Sequence, residues 1–323
     1  MQELAAPAPM TARQRTLLGV GNGAAAGALW GLVFLAPQLL ADFSAMQLAA
    51  SRYLVYGLIA ALWLAPTWRR LRGRVHGREW RALAWLSLLG NIVYYLLLAS
   101  AVQWAGGAAT SLIVGLLPVV VTLVGARRAG AVPLARLLLP LGLCLAGVVL
   151  VGAQAVGQDA PGERATTIAG LLCAFGALAS WTAYSLYNTL WLERRADLSG
   201  HDWSLLTGVA TGALSLLMVV PAFLLAGQAH APADWLRFWG VATAVALLAS
   251  VVGNGFWNRA SRLLPLTLAG QMIVFETVFA LLYGFAWERR LPTGLELAAI
   301  GCLITGVLWC VRAHRGHGVA PHE

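Results

Sequence analysis

The sequence predicts an all-α, polytopic membrane protein with ten transmembrane helices in two inverted five-helix repeats. Three observations carry this. The composition is 59% hydrophobic and only 11% charged, which suits a chain that buries most of its helices in lipid rather than one that faces water. Apolar stretches of about 20 residues, the length that crosses a bilayer as a helix, recur between short loops. The third observation is an internal echo. Leu112–Gly125 aligns without a gap with Gln271–Gly284, and an offset of 159 residues carries Val119 onto Val278 and Leu123 onto Leu282. The same offset carries Pro133 onto Pro292, Leu138 onto Leu297, Gly142 onto Gly301, Gly147 onto Gly306 and Val148 onto Val307. Matched glycines and prolines are harder to obtain by chance than matched leucines.

The spans follow in order. A short head, residues 1–16, precedes span one at 17–36, which is long for the apolar part of a signal peptide. Gly23, Gly27 and Gly31 lie four apart on one helix face, where small residues allow close helix approach; packing is the default reading of that face and lining a pathway the alternative. Span two, 45–65, carries Arg52 a turn or two inside one end. Arg52 either snorkels to the interface or pairs with something inside the bundle. Span three, 82–101, holds Asn91, Tyr94 and Tyr95, which either join helices or line a cavity. Span four, 106–125, contains Pro118, which kinks a helix unless neighbours repair the backbone. Span five, 134–152, is glycine-spaced and suits a peripheral or dimerising position.

Residues 153–166 form a polar linker between the copies, so that 17–152 and 167–311 are the expected repeats. Span six, 167–190, places Trp181, Tyr184 and Asn188 on one stripe, and its Ala179, Ser180 and Trp181 echo Ala28, Leu29 and Trp30. Spans seven, 203–226, and eight, 238–257, follow, the latter ending in Asn254. Span nine is expected as one helix over Leu264–Trp287, with Gln271 and Glu276 near its middle. Span ten, 294–311, leaves a short tail, 312–323.

Every one of the 22 basic residues is arginine. Seventeen fall at loops on the side of the N-terminus and four on the other, with Arg52 remaining. This asymmetry predicts both termini in the cytoplasm and a bacterial inner-membrane location. Tryptophans near the span ends, including Trp63, Trp68, Trp104, Trp203 and Trp287, suit an interfacial belt. Two copies of five spans each enter the membrane from opposite sides, an arrangement used by many secondary transporters with a site at the repeat interface.

The candidate pathway residues are Trp30, Asn91, Tyr94, Tyr95, Trp181, Tyr184, Asn188, Asn254, Gln271 and Glu276. A carboxylate at bilayer depth is costly and belongs in a cavity or beside a partner. Glu276 is therefore read as binding an amine, as cycling a proton, or as a structural partner of Arg52 or a hydroxyl. Aromatic faces suit an apolar or cationic solute. An intramembrane enzyme lacks its parts here: all six histidines lie outside the expected spans, and no H-E-x-x-H, G-x-S-x-G or paired acids within a span occur. The four cysteines form no C-x-x-C, and neither a metal site nor a cofactor is implied. The expected partners are a small-molecule solute and the bilayer, with no nucleic acid, in a monomer or weak homodimer. A receptor or scaffold would need an accessory protein, since the loops are too short to form a partner domain.

Several short motifs resemble the EamA-type branch of the drug/metabolite transporter superfamily. They are Ala-Leu-Trp-Gly at Ala28–Gly31, Ala-x-Arg-Tyr at Ala50–Tyr53 and Leu-Leu-Pro-Val at Leu116–Val119. Phe-Glu-Thr-Val at Phe275–Val278, Trp287-Glu288 and Gly-x-x-x-x-Gly-Val at Gly301–Val307 continue the likeness. Thr277 stands where the family often has proline. The resemblance implies alternating access around a cavity among spans one, three, four, six, eight and nine, and it looks nearest to bacterial exporters of amino acids, including aromatic ones. Efflux of cationic drugs or toxic compounds by the same fold is the other substrate class it allows.

Overall fold

A computed structural model describes residues 11–126, 134–158, 163–195, 197–224, 230–264 and 272–315. Among these residues all regular structure is helical. Helix α1 is Ala12–Leu39, α2 is Ala45–Leu64 and α3 is Gly77–Ala105, with one helical turn at Trp68–Leu71 between α2 and α3. Then come α4 at Gly107–Val114, α5 at Leu117–Ala126, α6 at Leu134–Gln158 and α7 at Arg164–Arg194. Helices α8, Gly200–Leu224, and α9, Pro232–Leu263, are followed by α10, Val274–Glu288, and α11, Gly294–Arg315. Seven of the described helices are long and apolar enough to cross a membrane, and Gly107–Val121 and Gly294–Trp309 are shorter apolar segments.

The helices start and stop where the local chemistry directs. Thr11 and Ser44 cap α1 and α2, each in a reciprocal capping box with a glutamine three residues on. Glu79 returns a hydrogen bond to the His76 amide at the start of α3. Gly106 ends α3 at a φ of 86°, a left-handed turn that glycine adopts without a Cβ penalty. Most helices overrun the expected spans, because a helix continues past the hydrocarbon wherever its caps lie further out.

Two expected spans are not continuous. The expected span four divides at a Gly115–Leu116 turn into α4 and α5. Pro118 is therefore in the first turn of α5, where a missing N–H breaks no helical bond. The expected single helix Leu264–Trp287 is also corrected. Leu264 is extended, as the residue before a proline prefers, and Ile273 is a turn from which α10 begins. Under the 159-residue offset the Gly115–Leu116 turn maps to 274–275, within two residues of the turn at Ile273.

Packing is pairwise. Helix α1 lies along α10 and α9, α2 along α8, α3 along α7, and α6 along α11. The glycine face of α1 is a packing face. Gly19, Gly23, Gly27 and Gly31 meet Leu264, Met272, Phe275–Glu276 and Phe279–Ala280 in succession. A Cβ added at Gly27 would lie 2.6 Å from the Phe275 Cβ and 2.8 Å from the Glu276 amide nitrogen. Helices α2 and α8 approach as closely: a Cβ at Gly57 would lie 2.4 Å from the Gly212 Cα. Helix α6 leaves Leu138, Leu139, Leu145 and Val149 exposed, as a peripheral helix does.

Ion pairs tie the loops at both ends. At the arginine-rich end Arg70 pairs with Asp202 at 3.1 Å and Arg195 with Glu79 at 2.9 Å. The side-chain N–H groups of Arg195 hold the Asp197 carboxyl below its ordinary range. A depressed carboxyl contributes above its ordinary pKa and stops contributing as pH falls through the lowered value, so this contact is constant near neutral pH and weakens only below about pH 4. At the opposite end Arg237 pairs with Asp42, and Arg290 takes both oxygens of Glu296 at 2.7 Å. Trp63 and Trp287 are exposed near helix ends, but Trp203 is 2% exposed and stacks on Trp191, so it is a core residue rather than part of the belt.

Gly57→Leu is expected to force α2 and α8 apart and to destabilise the purified protein by about 1–3 kcal/mol. Gly240→Leu, at an exposed glycine with no atom within 4 Å of an added Cβ, is the control and is expected to leave thermal unfolding in detergent unchanged.

Candidate functional site

The polar centre of the bundle is built on departures from α-helical regularity. Helix α3 contains a π-helical stretch at Leu88–Val93, and α9 contains another at Ala246–Gly253. Such turns loosen the backbone ladder, and in lipid the released carbonyls need new donors. Side chains supply them. Ser180 donates to the Leu89 carbonyl at 2.7 Å and Tyr53 to the Asn91 carbonyl at 3.0 Å. Trp30 donates through Nε1 to the Ala249 carbonyl at 3.1 Å, and Asn254 through Nδ2 to the Ser250 carbonyl at 2.7 Å.

This accounts for several sequence-predicted site residues. Trp30 and Asn254 each spend their N–H groups on a π turn, and the Trp30 ring packs on Trp257 at 5.3 Å. Asn91 donates to the Thr211 hydroxyl at 2.9 Å, joining α3 to α8. The Trp181 and Tyr184 rings are 5.9 Å apart, and Tyr184 lies flush on Gly90 of the first π turn. Asn188 is not brought to this group: its Oδ1 accepts from Trp203 Nε1 at 2.9 Å, two turns from the arginine-rich end of α7. Gln271 lies outside the described residues.

Four residues remain at the centre. Arg52 is turned into the bundle and 8% exposed, so it does not snorkel. Its guanidinium lies over the Tyr95 ring at 4.4 Å and the Tyr53 ring at 5.2 Å. Nη2 reaches the Ser250 hydroxyl at a long 3.4 Å, while Nε and Nη1 are buried with no hydrogen-bond partner. Tyr95 is 1% exposed and meets Tyr53 edge-on at 5.9 Å. Tyr94 is buried and within electrostatic range of Glu276.

Glu276 stands in the first turn of α10, just past the Ile273 break, with its amide bonded back to the Ile273 carbonyl at 3.0 Å. The positive end of the helix dipole favours a carboxylate there. The side chain is partly buried and within electrostatic range of Arg52, yet the two make no salt bridge. The structure thus holds a guanidinium and a carboxyl group in one polar interior without a salt bridge between them.

Sequence reasoning missed Tyr53, Ser250, Thr211 and Trp257 as members of this centre. Ser250 and Thr211 had a usable signal, since each lies 159 residues after Asn91 and Arg52 respectively. Tyr53 and Trp257 had none, because what matters in each is the direction of a ring.

Replacing Trp30 with Phe keeps the ring and strands the Ala249 carbonyl. It is expected to cost about 1 kcal/mol of stability, read as a lowered melting temperature of the purified protein, and Ser180→Ala is expected to do the same through the Leu89 carbonyl.

The chain is similar to known proteins. The inner membrane protein YtfF of Escherichia coli (strain K12) is 33% identical over 310 residues, covering 91% of this chain and 95% of the relative. A solved crystal structure of another protein aligns with 94% of this chain and 98% of its own at 21% identity, with a TM-score of 0.60, which shows a shared fold. The profile of the EamA-like transporter family matches residues 17–153. A multi-helix membrane chain with this profile and a full-length relative at this identity belongs to the EamA-like transporter family of the drug/metabolite transporter superfamily.

Proposed function

We propose that the protein is a secondary transporter that carries amino acids or similar small metabolites across the bacterial inner membrane by alternating access, in the direction of export. The observation that carries this reading is Glu276: an acid at a helix break inside the bundle, with no salt bridge among the described residues and within electrostatic range of Arg52 and Tyr94. Such a group suits a reversible contact, either with a solute ammonium or with a proton. The name of the E. coli relative supports the membrane assigned here.

The architecture proposed is ten spans in two inverted five-helix units, 17–152 and 167–311, joined by 153–166. The interrupted helices count as spans four and nine, and Gly294–Trp309 lies in span ten. Four features support it. The pairing of α3 with α7 mirrors that of α9 with α1, and α2–α8 and α6–α11 each pair a helix with its own counterpart. The π turns overlap under the repeat offset, and the helix breaks fall within two residues of each other under it. The Arg52–Ser250 and Thr211–Asn91 hydrogen bonds exchange under it as well. The family profile ends where the first unit ends. Both termini are assigned to the cytoplasm from the arginine distribution.

Efflux of cationic compounds is the second reading, favoured by Glu276 and the rings around it. Arg52 in the same interior opposes it, because a buried guanidinium repels a solute that is only cationic. Solute accumulation in an export-deficient strain, measured across the twenty amino acids and a set of toxic cations with and without a pH gradient, separates the two. Glu276→Gln is expected to lower efflux of the transported solute at least about tenfold while leaving protein levels unchanged. Undiminished efflux would remove Glu276 from the mechanism.

A further inference from the structure

We propose that Arg52 is the anchor for the anionic group of the solute, receiving a carboxylate on its unpaired N–H groups while Glu276 faces the ammonium of the same molecule. This rests on the transporter reading above and adds the chemical class that the interior selects: a zwitterion, rather than a cation or a neutral solute.

The first support is the state of the guanidinium. It is more than nine-tenths buried, and its Nε and Nη1 have no acceptor. A guanidinium offers two forks, Nε with one terminal nitrogen and the two terminal nitrogens together. Nη2, which both forks share, spends one N–H on a neutral hydroxyl at 3.4 Å, while Nε and Nη1 have no acceptor, so one fork stays open to a planar acceptor. The guanidinium carbon lies 4.4 Å from the Tyr95 ring centroid and 5.2 Å from that of Tyr53, so the two rings hold the group by cation–π contact. A buried cation whose edge is unpaired is unfavourable by itself and is expected where an anion is to arrive.

The second support is a comparison within the chain. Position 211, one repeat offset after Arg52, is threonine, and position 250, one offset after Asn91, is serine. On one side the helices are joined by Asn91 and Thr211 at 2.9 Å, a neutral pair that satisfies itself. On the other side the same join carries Arg52 on Ser250, a weaker contact with a charge added. Holding the helices together therefore does not require the guanidinium. Glu276 has the same character, since one offset before it stands Leu117. Neither charged side chain has a charged counterpart at the repeat offset, and the two lie within electrostatic range of each other without a salt bridge. A molecule that carries both charges on adjacent atoms can lie between them.

The test is binding to the full-length protein in lipid nanodiscs, read by thermal shift and by titration. The probes are leucine and phenylalanine, the matching amines that lack the carboxylate (isoamylamine and phenethylamine), and the matching acids that lack the amine (4-methylpentanoate and 3-phenylpropanoate). The expected result is that carboxylate-bearing probes bind the wild type and that R52Q weakens them about 30-fold or more. R52K keeps the charge but not the fork, and is expected to weaken them by at least about tenfold, which reads the same point should R52Q fail to fold. If the acids bind in an Arg52-dependent way and the amino acids do not, the anchor stands and the amino-acid reading falls. The anchor is overturned if the amines bind the wild type as tightly as the amino acids. It is overturned equally if R52Q and R52K bind carboxylates undiminished, or if no carboxylate-bearing probe binds the wild type.

Discussion

Lipid offers a protein backbone no hydrogen bonds, and this constraint orders the centre of the molecule. A regular helix meets it alone. A helix that departs from regularity must find donors in side chains: α3 takes them from Ser180 and Tyr53 on neighbouring helices, and α9 from Trp30 on α1 and from its own Asn254. The irregular turns in turn give the interior its polar character, because they bring Asn91 and Ser250 to the helix joins. Without the repairing side chains the turns would be expected to revert to α-helix, and Ser250 would rotate away from Arg52.

Much of the fold was legible because its signals are collective. Apolar length, which predicts an all-helical membrane chain, sums over many positions, so no single exception spoils it. The four-residue spacing of Gly23, Gly27 and Gly31 also read correctly as a packing face. The breaks were less legible. The proline after Leu264 marks one end of the interruption near α10, but the turn at Ile273 has no local residue that demands it. The Gly115–Leu116 break precedes Pro118 by more than one residue, so the proline suggested a kink within a helix rather than the start of one.

The centre was legible as a list of residue types and not as an arrangement. Polar and aromatic residues at bilayer depth were easy to find, but whether each N–H is spent on a neighbour depends on rotamers and on carbonyls that only a π turn releases. Trp30 and Asn254 look like lining residues in the sequence and serve as repairs in the structure. Arg52 presented the reverse case. Its nearness to the end of span two leaves an interfacial and an inward position equally open, and the tyrosine rings that hold it inward belong in part to another helix.

The contact between Gly57 and Gly212 has a mechanical consequence. Side chains that interdigitate resist both sliding and turning, because each must leave its groove before it can enter the next. Where two backbones touch directly there are no teeth to disengage, and a rotation costs little while a separation forfeits the whole contact. The crossing of α2 and α8 therefore has the properties of a fulcrum. A bundle joined at such a point would be free to rock about it, and the distances that would change most are those farthest from the crossing, at the two ends where the ion pairs lie.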